Sequence, residues 1–265
     1  MRWLLVLLLL WPSVAFAKFA PVDGAALRYS VTEERGANRF TSERRIVFHK
    51  VAQGYTAELT IVAVDAGTGD VAAMALRVMS TLVGRTISYD LSNQGLVVAV
   101  ADQDMLFATI IAGFDAMGAA GKDDSAARDA VAGRTAAALA SLPDAAKRLL
   151  LGSLLTPVIG GALSDAQPGE GPVSLPASAP TGQSAALSGR QVVTRGADGR
   201  LVIDTDVSGP GPASDAPTML RIVQHREIDG VTGLVLVNER RTDTWLTAKP
   251  DAVTTFRTRA TLAPY

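Results

Sequence analysis

The chain has 265 residues, of which 25 are Lys or Arg and 26 are Asp or Glu, so its formal net charge is −1 at pH 7. A nearly neutral chain has no overall field to attract nucleic acid or an anionic membrane. The absence of cysteine excludes disulfides, thiol catalysis and thiolate metal sites. Hydrophobic residues make up 48% of the chain, which favours an ordered globular fold over disorder.

The N-terminus has the pattern of a secretory signal peptide. Arg2 supplies a positive charge, Trp3–Trp11 is an unbroken apolar run, and Ala15–Ala17 offers the small residues that a signal peptidase reads. The run is too short to span a bilayer, which takes about 20 residues. We therefore expect residues 1–17 to be cleaved and residues 18–265 to form a single periplasmic or secreted domain without an integral membrane span.

Residues 26–101 are predicted to form strands with one helix. Apolar and polar side chains alternate in Leu27–Glu33, Phe40–Phe48 and Tyr55–Ala63, as they do in a sheet with one wet face. The period changes to that of a helix at about residues 70–83 and then returns to a strand pattern in a predicted hairpin.

Residues 102–163 are predicted to be helical. Asp102 stands where an N-cap belongs, an alanine-rich segment follows, and Pro143 is suited to open another helix. Two stretches, Met105–Phe114 and Leu149–Leu163, are apolar on nearly every side. Each must be buried between layers or line a cavity for a hydrophobic ligand.

Residues 164–188 change composition sharply to Pro, Gly, Ser and Ala, and their prolines predict a long irregular loop. Residues 189–263 return to strand patterns, with Asp198-Gly199 as a hairpin signal. The predicted fold class is α+β, with an extended, curved antiparallel sheet of roughly 8–10 strands packed on or around roughly 3–4 helices.

The sequence carries no recognisable catalytic or metal-binding motif. It has no Gly-x-Ser-x-Gly or Ser-x-x-Lys, and its two histidines, His49 and His225, lack the spacing of a metal site. Asp204 and Asp206 share one strand face and could suit Ca²⁺ binding or acid–base work, but the calcium-loop pattern is missing and a solvated strand face is the favoured explanation. We predict no catalytic residue, no metal site and no cofactor.

Arginines are frequent on the predicted strands. If neighbouring strands align them, they form a cationic stripe for phosphate head groups or an acidic partner, whereas the alternative is an ordinary solvated face interleaved with glutamates. The residues concerned are Arg44, Arg45, Arg221, Arg226, Arg240, Arg241, Arg257 and Arg259.

An exported chain with a long antiparallel meander and interrupting apolar helices resembles the periplasmic (Lol-type) lipoprotein carrier and its outer-membrane receptor. The resemblance covers most of the mature chain in the order of its elements, and no short motif or residue role is transferred. Two strand blocks flank the helices here, and the Pro-rich segment is a further departure from that pattern. The resemblance implies an incomplete β-barrel whose concave face can hold acyl chains.

These observations favour an exported, non-catalytic binding protein that shelters a lipid or another hydrophobic small molecule between sheet and helices. The alternatives are a cell-envelope protein–protein interaction module without a cavity and an unrecognised hydrolase using Asp204, Asp206 or His225. The predicted ligand-binding residues are Phe107, Ile110, Ile111, Phe114, Leu150, Leu154 and Leu155.

Overall fold

The structure, a computed structural model, describes residues 19–67, 76–118, 126–178, 184–211 and 217–265. The predicted signal peptide at residues 1–17 and the predicted start of the first helix at residue 70 lie outside the described residues.

Within the described residues, eleven strands form one antiparallel sheet. They are β1 (Ala26–Arg35), β2 (Asn38–Val51), β3 (Gly54–Ala66), β4 (Thr86–Leu91), β5 (Val97–Val100), β6 (Gly169–Ser178), β7 (Ser184–Arg195), β8 (Leu201–Pro210), β9 (Thr218–Ile228), β10 (Val235–Leu246) and β11 (Lys249–Pro264).

The helices of the described chain lie between β3 and β6 in sequence. They are α1 (residues 76–80 in its described part), α2 (Gln103–Gly118), α3 (Ala126–Ala140) and α4 (Asp144–Gly152), followed by the 3₁₀ helices η1 (Thr156–Val158) and η2 (Gly161–Asp165). Asp102 and Pro143 immediately precede α2 and α4, at the positions predicted for them.

The order of strands in the sheet is β5-β4-β3-β2-β1-β11-β10-β9-β8-β7-β6. Each of the two sequence blocks is a meander, and β11 pairs with β1 from Leu27 opposite Pro264 to Arg35 opposite Phe256. The last strand therefore joins both blocks into one sheet, with β5 and β6 as its edges.

The sheet curves towards the helices. Gly152, at the end of α4, lies against Val97 of β5, while the amide of Gly160 donates to the carbonyl of Gly233, just before β10, at 2.8 Å. In a flat sheet the six strand steps from β5 to β10 span about 29 Å. The eight residue steps from Gly152 to Gly160, if wound like a 3₁₀ helix, span only about 16 Å. The sheet must therefore curve so that the face on which residues 152–160 lie, hereafter the inner face, is concave.

The main hydrophobic core lies between the inner face of β1–β4 and the helices. It includes Ile46, Phe48 and Leu59 from the sheet, each fully shielded from water, and Phe107 of α2. Two smaller clusters occupy the inner face of the other block. Their buried members are Val193, Leu201, Ile203, Ile228 and Val235 in the first and Leu187, Val207 and Ile222 in the second.

The α+β class and the antiparallel sheet are confirmed, whereas the prediction of an irregular loop over residues 164–188 is wrong. The segment predicted as an irregular loop, residues 164–188, contains β6 and the start of β7, which raises the strand number to eleven. Pro172 and Pro176 are four residues apart, so both lack their amide hydrogen on the same side of β6. Because β6 is an edge strand, that side can face away from its single neighbour without losing a ladder bond.

Candidate ligand-binding cavity

A cavity of about 460 Å³ lies against the inner face of the sheet. Its floor is formed by β1, β2, β9, β10 and β11, and Ser153–Leu163, hereafter the cover segment, lies over it. The apolar part of its wall is Val31, Pro157, Ile159, Leu163 and Val235. The polar part is chiefly Glu33, Arg44, Gln224, Arg226, Asn238 and Arg240.

The cover segment is fastened to both halves of the sheet. Backbone carbonyls at and just after the C-terminal end of α4 accept hydrogen bonds from the sheet, and the carbonyl of Leu151 also accepts from the amide of Leu154 at 3.1 Å. Tyr89 of β4 donates its hydroxyl to the carbonyl of Leu151 at 3.0 Å, and Arg44 of β2 donates Nη1 to that of Leu154 at 2.6 Å. On the other side, Ile159 forms a β-bridge with Leu234. Residues of the sheet thus hold the cover segment over the cavity through hydrogen bonds to its backbone and to the end of α4.

Arg44 is a buried cation at the boundary between core and cavity. Its exposed fraction is 8%, its guanidinium stacks over the ring of Tyr29 at 5.5 Å, and Nη2 donates to Ser42 Oγ at 3.4 Å. Its Nε has no hydrogen-bond partner among the described residues. Burial lowers the pKa of Arg44, and burial raises the pKa of Tyr29 to about 12 although the nearby guanidinium opposes that shift. A positive charge near the end of α4 also interacts favourably with the helix dipole.

A row of polar side chains crosses the inner face from β1 to β7. Strand register places its members directly opposite one another, from one strand to the next: Glu33, Thr258, Arg240, Gln224, Thr205 and Gln191. The row separates the two smaller apolar clusters, because Ile222 and Ile228 lie on opposite sides of it along β9. The concave face therefore offers a polar belt with apolar surface on either side.

Two arginines of this region lie on adjacent strands in diagonal positions. Arg226 is opposite Asn238, and Arg240 is opposite Gln224. Arg226 is half-buried, and the pKa of its guanidinium is lowered by burial and by the charge of Arg240. Arg240 is exposed to water, yet the surrounding protein still lowers its pKa by desolvation. Burial raises the pKa of Glu33, against the influence of Arg44.

The seven ligand-binding residues predicted from the sequence lie in or around the main core. The side chains of Phe107, Ile110, Phe114 and Leu155 are buried in it, and Ile111 and Leu154 pack against it. Leu150 is 45% exposed. None of the seven is among the described residues that line the cavity, although Leu154 contributes the carbonyl that Arg44 binds. Their direct contact with a ligand stays a prediction.

From the sequence, the cavity-lining Arg44, Arg226 and Arg240 are predicted only as members of a cationic stripe, and Gln224 and Asn238 are not predicted as cavity residues. One signal was available: along β9, Gln224 and Arg226 share the parity of Ile222 and Ile228, which are buried at 4% and 0% exposure. Side chains of equal parity face the same side of a strand. Polar residues in phase with a buried apolar stripe therefore indicate an inner polar site.

Strand register divides the eight strand arginines between two faces. Arg44, Arg226 and Arg240 line the cavity. On the outer face, Arg221 forms a two-bond ion pair with Asp206 at 2.7 and 3.0 Å, and Arg259 pairs with Glu239 at 3.1 Å. The other outer arginines are Arg45, Arg241 and Arg257. A single cationic stripe does not form, because a shift of one residue along a strand reverses the face.

His225 and Asp204 meet on the outer face. Nδ1 of His225 lies 2.7 Å from Asp204 Oδ1, and Nε2 lies 3.6 Å from Glu227 Oε1, so both ring nitrogens face carboxylates. The hydrogen bond with Asp204 is the main cause that raises the pKa of His225. A catalytic histidine needs one nitrogen directed at a nucleophile or substrate. This geometry is that of a charged surface network, and the hydrolase alternative gains no support from it.

Among the described residues, no three His, Asp or Glu side chains are grouped so as to hold a metal ion. In the same part of the chain, no α-helix combines the length and apolar character needed to traverse a bilayer. Comparisons with known protein families and with curated proteins found no match.

Proposed function

We propose that this chain is an exported, non-catalytic binding protein that shelters a lipid or another hydrophobic molecule between its concave sheet and its cover segment. The observation that carries the proposal is the 460 Å³ cavity, which has an apolar wall and a cover of its own chain. Ligand pockets of proteins commonly enclose about 300–1,000 Å³. Each methylene group moved from water into such a site contributes about 0.8 kcal/mol to binding.

The wall and the cover suit a molecule with a flexible apolar part. Val31 and Val235 of the sheet and Ile159 and Leu163 of the cover segment line the cavity, and Leu163 packs against the apolar cluster that contains Val235. An apolar chain lying against these side chains would be shielded from water. The Lol-type resemblance leads to the same ligand class by a separate route, and the proposal is that this chain shares its use as a carrier.

A pair of Thr-to-Trp substitutions on β11 tests the cavity. Thr258 lines it, whereas Thr261 is exposed on the opposite face of the same strand. Thr258→Trp should fill the cavity and lower the affinity for N-phenyl-1-naphthylamine, a neutral fluorescent probe, roughly tenfold or more. Thr261→Trp is the matched control and should bind like the native protein.

Native mass spectrometry of protein purified gently from its own host gives the second test. We expect a species with the added mass of a bound lipid or other hydrophobic molecule, and less of it in Thr258→Trp. A folded protein that carries no added mass and does not bind the neutral probe would refute the proposal.

A further inference from the structure

The cavity holds an excess of positive charge. Three guanidiniums, those of Arg44, Arg226 and Arg240, face one carboxylate, that of Glu33. The charges of Arg44 and Glu33 attract each other, so the cavity carries two positive charges in excess. The other two cations lie on adjacent strands: Arg240 of β10 is in the polar row, and Arg226 of β9 lies diagonally beside it.

The guanidiniums of Arg226 and Arg240 have few hydrogen-bond acceptors in the described protein around them. The side chain of Arg226 makes no hydrogen bond or ion pair with another described residue, and the side chain of Arg240 donates Nε only to the hydroxyl of Thr242, at 3.3 Å. Their positions on adjacent strands bring like charges together in a partly desolvated site. Because Arg226 is half-buried, water satisfies its N–H groups only in part, and an anion bound between it and the exposed Arg240 would supply acceptors and offset the repulsion of the two charges.

The neighbouring amides extend the set of donors. Gln224 Nε2 donates to Asn238 Oδ1 at 2.7 Å, and this bond leaves the Nδ2 group of Asn238 beside Arg226 as a further donor. Guanidinium and amide N–H groups that converge in a concave site suit the oxygen atoms of a phosphate or a carboxylate. The apolar wall begins within the same cavity, at Val235 and Leu163.

We propose that the ligand is an amphiphile with an anionic head group, a phosphate or a carboxylate, held by Arg226 and Arg240 while its apolar chain lies under the cover segment. This inference rests on the proposed function and narrows it to a class of ligand. The polar belt determines where the head group sits, and the adjacent apolar clusters determine where the chain runs.

Three probes separate the head group from the chain. Dodecyl phosphate has both, tetraethylene glycol monododecyl ether has the chain with a neutral head group, and inorganic phosphate has the anion alone. Titration calorimetry on the purified exported protein, below the micellar concentration, should show dodecyl phosphate binding roughly tenfold or more tightly than the neutral ether. Inorganic phosphate should bind most weakly of the three.

Arg226→Met tests the assigned residue, and Arg257→Met is its control. The side chain of Arg257 is exposed on the outer face and makes no hydrogen bond or ion pair with another described residue. Arg226→Met should weaken dodecyl phosphate binding roughly tenfold and leave the neutral ether unchanged, whereas Arg257→Met should change neither. Because Arg226→Met removes a repulsion, its melting temperature should not fall. If it does fall, Arg240→Met replaces it in the same titrations.

The outcomes separate this inference from the proposed function. Equal affinity for the two dodecyl probes, unchanged in Arg226→Met, would overturn the anionic head group and leave a neutral hydrophobic ligand. Failure of both dodecyl probes to bind would overturn both proposals. Inorganic phosphate binding as tightly as dodecyl phosphate would show a simple anion site and overturn the amphiphile.

Discussion

At the scale of single residues, the cover segment depends on side chains that complete the end of α4. The hydroxyl of Tyr89 donates to the carbonyl of Leu151 in the last turn of α4 at 3.0 Å, and the guanidinium of Arg44 donates to the carbonyl of Leu154 just after the helix at 2.6 Å. Tyr89 is almost completely buried, with 1% of its surface exposed. Burial is also the main reason why its pKa is raised, so its hydroxyl stays protonated and remains a donor.

The first prediction concerns this hydroxyl. Tyr89→Phe should lower the free energy of unfolding by about 1 kcal/mol, because a buried hydrogen bond is lost while the carbonyl of Leu151 keeps the amide of Leu154 as its other donor, at 3.1 Å. Urea denaturation measures the change. Tyr265→Phe, at a site that is 60% exposed, is the control and should stay within about 0.5 kcal/mol of the native protein. Equal stability of the two variants would contradict the role given to Tyr89.

At the scale of elements, the fold was largely predictable wherever one local period dominates. The strands that contain Tyr29, Leu59 and Ile203 alternate apolar and polar side chains, and each is a strand in the structure. The loop prediction for the segment containing Pro172 and Pro176 failed because prolines disfavour a strand inside a sheet but are tolerated in an edge strand such as β6. Whether a strand lies at a sheet edge depends on which other strands pair with it, and a local sequence pattern does not contain that information.

The second prediction compares two Gly-to-Ala substitutions, which should change the stability of the protein in opposite directions. A Cβ at Gly160 would lie 2.7 Å from the carbonyl oxygen of Gly233 and 3.0 Å from Ile228 Cγ2, whereas a Cβ at Gly133 in α3 would meet nothing within 4 Å. Gly160→Ala should therefore push the cover segment off β10 and destabilise the protein by about 1–3 kcal/mol. Gly133→Ala should stabilise it by about 0.5–1 kcal/mol, because alanine favours a helix interior.

Thermal or urea unfolding of both glycine variants measures the two changes in stability. Hydrogen exchange at residues 153–163 adds a local measurement, since faster exchange is expected there in Gly160→Ala alone. A Gly160→Ala protein as stable as the native one would show that the cover segment does not require its close contact with Gly233.

At the scale of the whole molecule, one pairing makes the site possible. β11 joins β1, and through this pair the two strand blocks become one concave sheet with Thr258 of β11 at its middle. The cavity takes walls from both blocks, with Arg44 from one and Arg226 from the other. Neither block alone contains the site.

The third prediction concerns the location of the whole protein. If the N-terminal pattern is a signal peptide, the protein recovered from its own host should begin at Lys18, as read from its intact mass, and should leave the membrane fraction on carbonate washing. The unexported control, an Arg2–Trp11 deletion, should remain in the cytoplasm. A protein that keeps residues 1–17 or stays in the washed membrane pellet would contradict export as a soluble carrier.

The amino-acid sequence by itself determined the class of fold, most of the strands and the apolar helical middle, because alternation, turn residues and caps act between near neighbours. It also predicts a hydrophobic ligand in contact with residues such as Phe107 and Ile110, which stays a prediction, and the structure buries both side chains in the main core. Only the tertiary structure decided which face each strand arginine occupies and which strands meet. Register between β9, β10 and β11 depends on contacts between residues far apart in the chain, and it is this register that brings Arg226 and Arg240 into one cavity.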